Sequence, residues 1–158
     1  MMKNYLQILQ DSLVKKLEIL TQIEARSHEQ AEMLKEDQIS FEAIDRNMDD
    51  KAGLISDLEA LDNGFESLYE KIREELDSHR QEYKEEILNL QALIRKITEK
   101  SAGIQAIEAR NKAKMEIVFS REKKALQSKR NAMSIATDYY QTMNKVKVVS
   151  PQFLDKKK

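Results

Sequence analysis

Two histidines, His28 and His79, each follow a glutamate by four residues, Glu24 and Glu75. On a helix each Glu/His pair therefore shares one face. Carboxylate metal sites in helical bundles use a Glu-x-x-His spacing of three, taken from two helices together with further glutamates. Neither pair has that spacing, so both histidines read as surface or boundary residues and no metal site is expected. The chain has only 3 glycines and 1 proline, where an average chain of this length carries roughly nineteen of the two together. That leaves nothing from which to build a phosphate-cradling loop or a glycine-built oxyanion hole. No Ser/His/Asp constellation can be assembled at an arguable geometry. With no cysteine, disulfide scaffolds and cysteine-ligated zinc are excluded as well. The expectation is a non-enzymatic chain with no cofactor.

Charge suggests binding instead. Residues 1–108 carry a net charge of −10 and residues 109–158 a net of +9, although the whole chain sums to −1. Such an asymmetry raises the prior for a binding surface. Glu66, Glu70 and Glu74 stack like charges one helical turn apart. They read as a solvated acidic face or, more sharply, as a ridge facing a basic partner such as the C-terminal part of the same chain. The segment 109–143 mixes basic residues with Met, Phe and Tyr, a composition suited to accepting varied partner helices. Its apolar residues could equally pack on the preceding helices. Arg121, Lys123, Lys124, Lys129 and Arg130 are the phosphate contacts a nucleic-acid reading would use. The acidic remainder of the chain argues against that reading, and no nucleic-acid partner is expected.

The elements that must carry these residues are helices. The scarcity of Gly and Pro disfavours β architectures, which need turn residues every 8–12 positions or so. Leu6, Leu9, Leu13, Leu17, Leu20, Ile23 and Leu34 recur in steps of three and four, a seam that weakens at Ser27 and Gln30. Asn4 is the candidate cap of this first helix, about 3–36. A break over Glu36–Ser40 follows, with Ser40 placed to cap the next helix. From Phe41 a heptad stripe begins: Phe41, Met48, Ile55, Asp62, Tyr69, Leu76, Tyr83, Leu90, Ile97 and Ile104, with Ile44, Lys51, Leu58, Phe65, Ile72, His79, Glu86 and Leu93 alongside. The stripe does not mark where helix two ends. Asp62-Asn63-Gly64 is the most turn-like triplet. A capping box at Ser78 and Gln81 is the alternative, and it is preferred because it gives helices of about 3–36 and 40–77 with matching lengths. The third helix would then run from about 79 to 142, outrunning its neighbours or bending back. Residues 144–158, rich in lysine, read as a tail that is disordered when free.

The fold expected is all-α: an antiparallel long-helix hairpin or three-helix bundle with coiled-coil-like packing and an extended third helix, forming one domain over 1–143. The longest strongly apolar run is Ile117-Val118-Phe119. That is far short of a signal sequence or of the ~18 residues that span a bilayer. Cytoplasmic location without stable membrane insertion is expected.

Several stretches resemble bacterial flagellar export chaperones of the FlgN type. They are Asp49-Asp50-Lys51-Ala52-Gly53-Leu54-Ile55, Leu61-Asp62-Asn63-Gly64-Phe65, Leu68-Tyr69-Glu70-Lys71, Ile104-Gln105-Ala106-Ile107-Glu108-Ala109-Arg110-Asn111 and the closing Ser150-Pro151-Gln152-Phe153-Leu154-Asp155. The resemblance implies a chaperone that binds the C-terminal helices of hook–filament junction subunits, keeps them unassembled and delivers them to the export apparatus. The family's third helix often carries Asn-x-x-Asn. Asn111 matches the second Asn, whereas Glu108 stands at the first. The partner-binding residues expected are Ile104, Ile107, Asn111, Met115, Val118, Phe119, Leu126, Met133, Tyr139 and Tyr140. The alternative is a structural coiled-coil spacer, a homodimer with no client.

Overall fold

The computed structural model describes residues 1–121 and 135–142. Three long helices, α1 (Met2–Met33), α2 (Phe41–Ser78) and α3 (Lys84–Arg121), account for most of them. Residues 135–142 are also helical and are called α4. No strand occurs among the described residues, and the fold is an all-α bundle.

The expected break between the first two helices is where the structure places it. Ser40 adopts extended backbone and its Oγ accepts a hydrogen bond from the Ala43 N–H at 3.2 Å, satisfying one of the first-turn donors that have no partner within the helix. Two other caps differ from expectation. Helix α1 starts at Met2 with Met1 at the cap position and no side-chain cap. Asn4 lies in its first turn, donating its backbone N–H to Met1 O. Ser78 is the last residue of α2, and its Oγ donates to Glu74 O at 3.0 Å. It therefore does not cap helix three, which begins at Lys84. The reversal is made by residues 79–83, with His79 O accepting from the Glu82 and Tyr83 N–H groups. Asp62-Asn63-Gly64, the competing turn, lies inside α2.

Helix order follows from the cross-helix bonds. Lys16 pairs with Asp62, and Lys51 bonds Gln30, so α2 runs antiparallel to α1. Lys100 pairs with Glu24, and Asn111 Nδ2 donates to Ser27 O, so α3 runs parallel to α1. α1 packs closely along both partners, whereas α2 and α3 approach each other far less closely.

The apolar stripes meet in two clusters. The larger joins Leu6, Leu9, Leu13, Leu20 and Ile23 of α1 to Ile55, Leu58, Ile72 and Leu76 of α2 and to Ile87, Leu90, Ile97 and Ile104 of α3. The smaller holds Ile44 and Met48 of α2 against Met115 and Phe119 of α3, with Met33, Leu34, Ile39 and Phe41 around them. The end of α3 is therefore covered as far as Phe119, with no overhang to that point. α4 returns to the bundle, because Ala136, Tyr139 and Tyr140 belong to the larger cluster. A continuous third helix reaching outward to 142 is corrected accordingly. The chain turns back, since Tyr139 must meet Asp62 in the middle of α2.

Candidate functional site

Between the two apolar clusters lies a buried polar layer. Ser27, Gln30, Asn47, Lys51 and Asn111 are each at most 4% exposed. The seam of α1 weakens at Ser27 and Gln30 because these positions face polar groups rather than leucines. The Lys51 ammonium donates to Gln30 Oε1 and, at 2.8 Å, to Glu108 Oε1. That carboxylate oxygen also accepts from Ser27 Oγ at 2.8 Å. Asn111 Nδ2 reaches Ser27 O at 2.9 Å, and Asn47 Nδ2 reaches Arg26 O at 2.8 Å. All three long helices are thus tied at one level. Burial pulls the Lys51 ammonium below its ordinary pKa, opposed by the charge and hydrogen bond of Glu108. A buried ion pair of this kind contributes little net stability, yet leaving either partner alone is costly. A slip of α2 against α3 would separate Lys51 from Glu108 and strand both charges.

α4 lies over this layer, in the groove left between α2 and α3. A cavity of about 20 Å³ is lined by Lys51, Ala52, Glu108, Asn111, Ala136 and Thr137, among others. Tyr139 Oη donates to Asp62 Oδ2 at 3.0 Å, on a carboxylate whose other oxygen pairs with Lys16. Burial, then the Asp62 charge and hydrogen bond, pushes the Tyr139 phenol well above its usual range. Tyr140 is 3% exposed, and its hydroxyl has no hydrogen-bond partner among the described residues. Burial and the Glu108 charge push it upward too. An unsatisfied buried hydroxyl costs about 1–3 kcal/mol.

The residues expected to bind a partner fall in unexpected places. Ile104, Ile107, Asn111, Met115, Phe119, Tyr139 and Tyr140 are all buried within the chain, and Val118 is half-buried. Leu126 and Met133 lie outside the described residues. The exposed surface that the sequence suggested on 104–143 is therefore replaced, at these seven positions, by an inward-facing one. All but Ile107 are placed by cluster or hydrogen bond within the bundle, the alternative the composition had left open. Among the described residues of that stretch, Ile117 and Ile135 are the large apolar residues left exposed, at 55% and 50%. Glu66, Glu70 and Glu74 face solvent, Glu70 pairing with Arg73. Both histidines are exposed, and no group of three metal-ligating side chains occurs among the described residues. Of the phosphate-contact candidates, only Arg121 is described, and it is exposed.

Sequence reasoning missed Gln30, Asn47, Lys51 and Asp62 as members of a site. The signal was present for two of them: Lys51 and Asp62 are the polar residues of the heptad stripe within α2. No helix among the described residues is long and apolar enough to cross a membrane. Compared with family models, with curated proteins and with solved structures, the chain matches none of them.

Proposed function

We propose that this protein is a cytoplasmic secretion chaperone that binds the C-terminal helices of flagellar hook–filament junction subunits, prevents their premature assembly and delivers them to the export apparatus. The observation that supports this reading best is that α2 and α3 approach each other far less closely than either approaches α1, and that α4 of the same chain is seated in the groove between them. Helix-in-groove recognition needs such a trough with apolar walls, here Met48 and Ile55, and a few polar groups to set register. A client helix laid there has its assembly face covered. Charge steers the encounter, and neither nucleotide nor cofactor takes part.

Co-expression with a tagged junction subunit followed by pull-down tests the reading. The parent chain is expected to be captured. Ala52→Arg, which places bulk and charge in the groove, is expected to lose capture while its circular dichroism stays helical. If the parent chain is not retained, the chaperone reading fails.

A further inference from the structure

α4 fits its groove imperfectly, and three separate features say so. The Tyr140 hydroxyl is buried without a hydrogen-bond partner among the described residues. The cavity beside Ala136 and Thr137 remains open under the helix. Ile135, its first described residue, is 50% exposed. Among the described residues, Tyr139 ties α4 to the bundle through its hydrogen bond to Asp62. Yet its inward residues, Ala136, Tyr139 and Tyr140, sit at i, i+3 and i+4, the spacing by which a helix anchors in a groove.

We infer that α4 is a built-in stand-in for a partner helix. It occupies the α2/α3 groove until replaced by an amphipathic helix that presents a small residue followed, three and four positions later, by two aromatic residues. The first aromatic carries a hydroxyl or N–H for Asp62, and a small residue slightly larger than Ala136 fills the cavity beside that position. This inference rests on the groove reading above and specifies the kind of helix the groove accepts. The stand-in also sets apparent affinity, because an incoming helix binds only the fraction of molecules whose groove is open.

The chain has no cysteine, so Ala52→Cys/Ala136→Cys can be bridged by a short bismaleimide to close the groove covalently. The probe is a fluorescein-labelled peptide copying residues 131–145, added to the full-length chain and followed by anisotropy. Tyr139→Phe, which keeps the ring but removes the bond to Asp62, is expected to bind the peptide roughly fivefold more tightly than the parent, the equivalent of one hydrogen bond. The bridged double variant is expected to bind at least about tenfold more weakly than the same protein unbridged. Equal binding by all of these proteins, or binding by none, overturns the inference. Hydrogen exchange gives an independent reading. Amides of 139–142 should exchange much faster than the core amides of α1, and equal protection would make α4 an integral part of the bundle. Because the probe is not a junction subunit, loss of subunit capture with retained peptide exchange refutes the flagellar client and leaves this inference standing.

Discussion

Lys51 and Glu108 face each other across the gap between α2 and α3, with side chains 5% and 16% exposed. Lys51→Ala strands the carboxylate and is expected to lower stability by about 3 kcal/mol. Lys51→Met with Glu108→Leu should restore most of it, leaving the double variant within about 1 kcal/mol of the parent or above it. Urea unfolding of the three proteins checks this. Tyr140→Phe removes a buried hydroxyl that has no partner among the described residues and is expected to stabilise by about 1 kcal/mol, measured the same way. The tyrosines also set the alkaline limit. Burial raises Tyr139 and Tyr140 above their ordinary value, and burial with the Asp77 charge raises Tyr69 to about 12. A phenol whose folded pKa is raised contributes stability that is complete below about pH 10 and is lost as pH climbs toward the folded value. Lys51 acts in the opposite sense at lower pH. Its folded pKa lies below its unfolded 10.5, so its contribution improves as pH rises between the two. Unfolding midpoints should therefore fall steeply above about pH 10, and less steeply in Tyr140→Phe.

At the scale of elements, the caps show which signals a linear sequence carries. Ser40 was legible because the apolar seam stops on one side of it and a new stripe begins on the other. Ser40→Ala is expected to cost about 1 kcal/mol, seen as a lower unfolding midpoint. Ser78 misled because the reversal over 79–83 preserves the heptad count. Leu76 and Tyr83 are seven residues apart and both buried, so the stripe passes unchanged through a change of direction. Glycine was a weaker guide still. Gly53, Gly64 and Gly103 all lie inside helices, none has positive φ, and a Cβ at any of them meets open space. Gly64→Ala is accordingly expected to stabilise by roughly 0.5–1 kcal/mol, with Gly53 and Gly103 following suit, read from the thermal midpoint.

For the whole molecule, the helical class and bundle packing were legible because apolar spacing alone decides them. The location of the site was not. Periodicity reports that Met115, Phe119, Tyr139 and Tyr140 share an apolar character, but it is equally consistent with a stripe offered to a partner and one buried at home. The burial seen here follows from α4 folding back, a long-range event with no local signature. The heptad stripe is likewise buried inside a single chain, through Ile55, Leu58, Leu76, Leu90, Ile97 and Ile104. Sedimentation velocity at micromolar concentration should therefore show a monomer, and an obligate rod-like dimer would favour the spacer instead.

The parallel arrangement of α1 and α3 has a consequence for synthesis. Glu24 and Ser27 find their α3 partners, Lys100 and Glu108, 76 and 81 residues later in the chain. At translation rates of about 5–20 residues per second, the N-terminal helix waits roughly 4–16 s for the second of its two neighbours. α2 is complete only at Ser78, so over the last 22 to 30 residues of that interval, about 1–6 s, the α1/α2 hairpin stands on the ribosome with one apolar flank of α1 open to other chains.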